Sequence, residues 1–263
     1  MRLDGRTALV TGATGGIGHA IARALAARRA RLVLTGRQAE VLGRLARELD
    51  AQVFAVDLAD RRALDLLIER TADVDVLVAN AALPASGRID GFETSQIDAA
   101  LDVNLRAPIL LARSLAGRMA ARRAGHIVFI NSLSGKLAAP GSSLYSATKF
   151  GLRGFAQCLR QDLHGTGVGV STIFPGFIRD AGMFARSGVE LPRGVGTRSP
   201  DEVAAAVVRA VEGNQAEIDV APAGLRLGAL LGAVAPTVSG TVQRWLGAGK
   251  IAEQIARGQR DKQ

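Results

Sequence analysis

The stretch that most constrains this chain is RTALVTGATGGIGHAIARAL, residues 6–25. A short apolar run, 6–12, ends in Gly12, and Gly15, Gly16 and Gly18 follow at once. Ile17, Ala20, Ile21, Ala24 and Leu25 then recur at helical spacing. A strand, a glycine turn and a helix thus follow one another with no linker. Such a unit sets free backbone N–H groups and the positive end of a helix dipole at the end of a strand, where an anion can sit. Gly12 permits the tight turn, Gly16 lets backbone approach a pyrophosphate, and Gly18 lets helix pack on strand. Thr14 and Ile17 belong to the same loop.

The alternation continues along the chain. Apolar runs at 31–36, 52–57, 74–80, 125–132, 168–176 and 216–222 read as strands. Helical patterns cover 16–29, 38–49, 60–71, 93–104, 106–123, 143–165 and 200–212. Seven apolar strands separated by helices imply an α/β fold with a parallel sheet covered on both faces. Right-handed crossovers make it a doubly wound Rossmann sheet. No linker divides the chain, so residues 1–222 read as one dinucleotide-binding and catalytic core. Residues 223–263 read as a helical tail packed on that core, built from Gly-broken apolar segments at 223–235 and 236–258. Its apolar series is Leu225, Leu227, Leu230, Leu231, Val234, Val238, Val242, Trp245 and Leu246. Two short helices over the substrate entrance or a partner subunit are expected, with membrane-surface association as the other reading.

Composition closes several doors. The chain has 263 residues, of which 48% are hydrophobic, too apolar for disorder. The net charge is +9, but the arginines are spread over helix faces and no basic tract has interleaved aromatics. Nucleic acid is therefore not the expected partner. The single cysteine, Cys158, precludes an internal disulfide and suits a reducing compartment. It is expected as a small core or interface residue. There is no apolar leader and no run of about 18–20 apolar residues, so a cytoplasmic protein is expected. His19, His126 and His164 form no metal pattern.

One Tyr and one of only four lysines, Tyr145 and Lys149, lie four residues apart at an expected helix start. On a helix they share one face, one turn apart. A free phenol titrates near about 10, and a nearby ammonium favours the phenolate. The pair can then pass a proton to or from a substrate oxygen while hydride moves at carbon.

Taken in order, TGATGGIG (11–18), VANAA (78–82), Asn104, INSLSG (130–135), YSATK (145–149) and Pro175-Gly176 resemble the classical short-chain dehydrogenases/reductases over about residues 5–222. That resemblance implies an NAD(P)-dependent oxidoreductase acting between a carbonyl and an alcohol. It implies Tyr145 as general acid/base and Ser132 as the residue that holds the substrate oxygen. Lys149 would also bond the nicotinamide ribose, and Asn104 would serve the proton relay. An asparagine at 104 can also kink or cap a helix. The resemblance further implies that Asp57, followed by Leu58, meets the adenine, and that Asn80 and Ala81 line the cofactor beside Pro175, Gly176 and Ile178. Asp57 can alternatively cap a helix. Ala79-Asn80-Ala81-Ala82 replaces the family's Asn-Asn-Ala-Gly, and Asp180 stands where its threonine is expected.

Strand two ends LVLTGR: near the point where NAD enzymes place a carboxylate, Thr35 and Gly36 are neutral and Arg37 follows. NADP(H) is therefore favoured over NAD(H). Leu83, Pro84, Leu133, Leu137, Ala138, Phe177, Met183 and Phe184 suggest a small hydrophobic carbonyl or alcohol as substrate, and 180–199 reads as a lid. Helices 106–123 and 143–165 are expected to build a homodimer or homotetramer, with Gly151 and Gly154 allowing close helix approach. A non-catalytic dinucleotide-binding sensor or scaffold is the alternative, and lyase or epimerase chemistry on the same fold is a third reading.

Overall fold

The computed structural model describes residues 1–189 and 195–245 and the single positions 254 and 258. Seven strands form one parallel sheet: β1 (Thr7–Thr11), β2 (Arg31–Gly36), β3 (Gln52–Ala55), β4 (Val76–Ala79), β5 (Gly125–Ile130), β6 (Val168–Pro175) and β7 (Glu217–Val220). Their order is β3-β2-β1-β4-β5-β6-β7. Chain order reverses between β1 and β4, which pair with Leu9 opposite Leu77. The loops leaving these two strands therefore diverge and open a crevice at the carboxyl edge.

Alternate strand residues feed two cores, as the period of two requires. Ala8, Val10, Leu34, Val78 and Val128 face one side, under α1 (Gly16–Ala26), α2 (Ala39–Leu49) and α8 (Pro200–Gly213). Leu9, Val33, Leu77, Ile127 and Phe129 face the other, under α3 (Arg61–Arg70), α5 (Ala107–Ala121) and α6 (Ser143–Asp162). β4, β5 and β6 are buried on both faces, which is why they read as unbroken apolar runs.

Local signals fix the helix starts. Asp60 caps α3 by accepting from the N–H groups of Arg62 and Ala63. Ser199 and Glu202 form a reciprocal capping box on α8, with Pro200 as its first residue. Each such cap stabilises its helix by about 1 kcal/mol.

The helices expected at 93–104 and 106–123 are not separated by a break. α4 (Thr94–Leu101) runs through a π-helical turn, Asp102–Arg106, into α5. Pro108 explains the irregularity: it has no N–H to donate to the carbonyl of Asn104 four residues back. The chain widens the turn instead, and Ala107 N–H reaches back five residues to Asp102.

After α7 (Gly182–Ser187), residues 190–194 of the expected lid lie outside the described residues. The tail continues from β7 as α9 (Ala223–Val234) and α10 (Pro236–Trp245), parted at Pro236. Two short helices are thus present where two were expected. Leu246 lies beyond the described residues.

Candidate active site

Every loop that leaves the carboxyl end of β1 to β6 carries residues singled out in the sequence. Gly12 follows β1, Arg37 β2, Asp57 β3, Asn80 β4, Ser132 β5 and Gly176 β6. A parallel sheet collects these positions along one edge, although they are far apart in the chain.

The glycine loop forms a tight floor. Gly12 has φ +65°, and a β-carbon there would lie 2.7 Å from Ala81 Cα. A β-carbon on Gly18 would collide with the Gly12 carbonyl. Both positions thus exclude side chains, in line with the turn and packing roles read from the sequence. Gly16 is different: its β-carbon would lie 2.5 Å from the Ala181 side chain, so the turn after β6 closes over it. α1 begins at N-cap Gly15 with no side-chain cap and no acidic residue in its first turn. Its first N–H groups therefore have no intrahelical acceptor. This glycine-rich loop, with its free N–H donors at the start of α1, fits a dinucleotide's diphosphate.

Asn80 holds the floor in place. Its Nδ2 donates to the carbonyls of Thr11 (3.0 Å) and Gly12 (3.1 Å), and Thr11 Oγ1 accepts from the N–H groups of Asn80 and Ala81. Asp57 is exposed, and its Oδ1 accepts from Ala59 N–H at 3.0 Å. It thus makes a local turn, while Asp60 caps the helix. Leu58 is buried in the core, which leaves only its backbone to face the crevice. Pro175 ends β6, Gly176 N–H donates to Val220 O at 3.0 Å, and Ile178 is buried and bridges to Arg198.

On the other half of the edge, α6 starts with Tyr145 as its third residue and brings Lys149 round one turn later. Lys149 is buried, 5.6 Å from the centre of the Tyr145 ring, and its Nζ donates to Ile130 O at 3.1 Å. Ser132 opens a short 3-10 turn, Leu133–Gly135, and its Oγ accepts from Ser134 N–H. Its side chain is also close enough to Tyr145 to oppose the rise in the phenol's pKa. Ser132, Tyr145 and Lys149 therefore come together.

Asn104 is buried in the π-turn. Its Oδ1 accepts from Leu83 N–H at 2.6 Å and its Nδ2 donates to Leu83 O at 3.0 Å. The side chain is thus committed to pinning the loop after β4. Pro108 removes the ordinary α-helical donor to the Asn104 carbonyl.

The electrostatics differ from the sequence expectation in one respect. Lys149 was expected to lower the tyrosine pKa, but burial pushes the Tyr145 phenol up to about 12, against the opposing effect of the Ser132 side chain. Burial also brings Lys149 down to about 8. At neutral pH the phenol holds its proton and most Lys149 is an ammonium. That is the protonation state needed to donate a proton to a carbonyl oxygen.

Two supports were not read from the sequence. Asn131 accepts from Ser132 N–H at 2.8 Å through Oδ1 and donates to Lys149 O at 3.0 Å through Nδ2, tying the serine turn to α6. Lys136, at the end of that turn, reaches Asp219 (2.7 Å) and Glu217 (2.9 Å) on β7, while Arg153 on α6 pairs with Glu217 at 2.9 Å. Lys136 also lies 3.9 Å above the Phe174 ring. The rarity of lysine in this chain was the available signal for Lys136. Asn131 had only its place beside Ser132.

Asp180, in place of the family's threonine, has φ +65° and turns an exposed carboxylate to Arg179 at 3.5 Å. A β-branched threonine would be strained in that backbone conformation, which Asp tolerates better. The pocket candidates Phe177 and Phe184 are in ring contact at 4.9 Å. Cys158 is exposed on α6 and so is not a core residue.

A doubly wound sheet with a dinucleotide floor at one half of its edge and a Ser–Tyr–Lys group at the other defines the oxidoreductase class. Residues 6–190 match the family described as short chain dehydrogenase. Ketoacyl reductase HetN of Nostoc sp. (strain PCC 7120 / SAG 25.82 / UTEX 2576) is 33% identical over 259 residues, covering 93% of this chain and 90% of the relative. A short-chain dehydrogenase from Sphingobium yanoikuyae, solved in complex with NADPH, superposes with TM-score 0.75 at 28% identity, covering 89% of this chain and 95% of that one. A metagenomic short-chain oxidoreductase in complex with NADP gives TM-score 0.71 at 34% identity, covering 84% and 99%. The chain belongs to the short-chain dehydrogenase/reductase family, in its classical branch.

Proposed function

We propose that this protein is an NADP(H)-dependent reductase of a hydrophobic carbonyl compound, with Tyr145 as the proton donor. The observation that carries the reading is the Ser132–Tyr145–Lys149 cluster facing a glycine floor across one sheet edge. When bound, the nicotinamide would supply the hydride. Gly12, Thr14 and Ile17 would border the diphosphate, with Gly16 and Gly18 shaping the turn beneath it, and Asp57, Leu58, Asn80 and Ala81 would lie along the adenosine half. Lys149, Pro175, Gly176 and Ile178 would border the nicotinamide half. Ser132 fixes the carbonyl oxygen, Tyr145 gives it a proton, and the Lys149 ammonium offsets the phenolate that results. Asn104 supports the relay through its backbone. The ketoacyl reductase named among the relatives makes 3-oxoacyl thioesters a sensible first substrate class. The test is oxidation of NADPH and NADH, followed by absorbance, with a panel of 3-oxoacyl thioesters and hydrophobic ketones. Tight cofactor binding with no turnover on any substrate would favour the sensor or scaffold reading instead.

The charge on Lys149 predicts a pH limb. Because its pKa is brought down to about 8, the ammonium is present below that pH and is lost above it. Reductive kcat/KM is expected to be level below about pH 8 and to fall up to tenfold per unit above it. Lys149→Met should lower the rate and remove the limb. A wild-type profile that stays level to pH 10 would contradict this role.

Self-association through α5 and α6 belongs to the same proposal. Gly151 and Gly154 each cost α6 about 1 kcal/mol relative to Ala. Both are exposed, alongside the exposed Phe150 and Cys158, and a β-carbon on Gly154 would meet nothing within 4 Å. Packing on the protein's own sheet therefore does not explain Gly154, whereas a helix of a second copy would. Light scattering at micromolar concentration should give a dimer or tetramer, and Gly154→Trp should shift it toward monomer. A wild-type monomer would count against this interface.

A further inference from the structure

We infer that the outer face of α9 and the start of α10 is a docking surface for an anionic lipid bilayer. On α9, Leu227, Leu230, Leu231 and Val234 recur at helical spacing and form one stripe, and Val238 follows on α10 beyond the break at Pro236. Every one of them is more than half exposed, and Trp245 at the far end is 86% exposed. Among the other described residues, the exposed large apolar side chains are isolated in the sequence: Val53, Leu66, Ile89, Leu101 and Phe150. The stripe is not the face that holds the tail on the core. That face is Ala229 and Gly232, both buried, with Leu137 so close to Gly232 that no β-carbon would fit. α9 is therefore apolar on two sides, one used and one presented to solvent. A contiguous exposed apolar patch of this kind marks an interaction site.

Charge identifies the occupant. Residues 223–263 carry Arg226, Arg244, Lys250, Arg257, Arg260 and Lys262 against only Glu253 and Asp261, a net of +4. A second copy of this chain carries the same positive charge in its own tail sequence and is repelled by it. An anionic membrane attracts it, by about 1 kcal/mol for each Lys or Arg near the surface. An exposed Leu/Val stripe, a tryptophan at its end and flanking basic residues are the signature of a helix lying in the interface. No helix among the described residues is long and apolar enough to cross a membrane, so the contact is with the surface.

The same helix also has a geometric relation to the candidate active site. Leu225, on α9, lies 3.6 Å from where a Gly176 β-carbon would be, and Leu133, next to Ser132, lies 3.4 Å from the same point. Leu225 is in phase with Ala229 and Gly232 on the core-facing side of α9, so docking by the opposite face leaves this contact with the site undisturbed. The docking does not depend on the enzymatic reading.

Trp245 is the only tryptophan, so its emission reports this surface alone. The full-length protein should sediment with vesicles of phosphatidylglycerol mixed with phosphatidylcholine, with a blue shift of tryptophan emission. Phosphatidylcholine alone, or high salt, should leave most of it in the supernatant. Leu230→Glu/Val234→Glu keeps the reporter and changes only exposed side chains. It should partition about a hundredfold less, as two apolar contacts are exchanged for two carboxylates beside an anionic surface. An unchanged circular dichroism spectrum and cofactor affinity would show that the variant is folded. The inference is overturned if the wild type neither sediments nor shifts, if the variant binds equally, or if binding to pure phosphatidylcholine is as strong. Dissociation of an oligomer by the variant, with no vesicle binding by the wild type, would assign the stripe to a second copy instead.

Discussion

Tyr145→Phe is expected to lower kcat by about 10²- to 10⁴-fold, the usual contribution of a positioned acid–base group, while leaving cofactor affinity nearly unchanged. The substitution keeps the ring beside Lys149 and removes only the hydroxyl. Nothing near it compensates: Ser132 Oγ already accepts from Ser134 N–H, and Lys149 Nζ is tied to Ile130 O. The pKa values sharpen the expectation. A phenol near 12 beside an ammonium near 8 is fully protonated at neutral pH. The chemistry proposed for the wild type is therefore donation from a loaded acid, which phenylalanine cannot perform. Single-turnover rates and cofactor titration on the same preparations separate the two effects. Wild-type-like turnover in Tyr145→Phe would remove Tyr145 from the mechanism. Loss of cofactor binding together with turnover would mean that the ring's hydroxyl organises the site rather than reacting in it.

Much of this arrangement was legible in the sequence, for physical reasons. A parallel sheet buried on both faces leaves unbroken apolar runs, and β2 was read to its observed ends because charged Arg31 and turn-forming Gly36 bound it. The glycine loop was legible because steric exclusion admits no substitute at Gly12 and Gly18. Tyr145 and Lys149 were legible because their spacing is local to one helix start, whereas Ser132, on a separate turn, was legible only through the family resemblance. What escaped was long-range or three-dimensional. Lys136 meets Asp219 across 83 residues, and nothing local in either segment marks the pair. The π-turn at Asp102–Arg106 depends on a missing proline N–H acting four residues upstream, which a periodicity of 3.6 does not register. Gly16 was read as leaving room for a pyrophosphate, whereas its near neighbour in the fold is Ala181, on a turn some 165 positions later. The direction of the Tyr145 shift was missed because burial, which decides it, is a property of the folded chain.

Binding constants should favour NADP(H) over NAD(H) by roughly ten- to a hundred-fold, the equivalent of one charged contact of about 1.5–3 kcal/mol. Arg37→Ala should erase most of that preference. The end of β2 is joined to the glycine loop: Ala13 N–H donates to Thr35 O at 2.9 Å, and a β-carbon on Gly36 would lie 2.9 Å from the Thr14 side chain. Arg37 follows directly and is exposed, so its guanidinium is available where the ribose of a dinucleotide on this floor would end. The same crowding explains why an NAD-type carboxylate is not found here. An aspartate at Gly36 would have to displace Thr14, and Thr35 is buried with its Oγ1 unpartnered. With both preceding positions closed to charge, the nearest open one holds arginine, which pairs with a 2′-phosphate in two parallel hydrogen bonds. Arg37→Lys should keep part of the preference and Arg37→Asp should reverse it toward NAD(H). Equal affinities in the wild type would show that the 2′-phosphate is met elsewhere. An unchanged ratio in Arg37→Ala would move the discrimination to another basic group, and titration of both cofactors against the three variants distinguishes these outcomes.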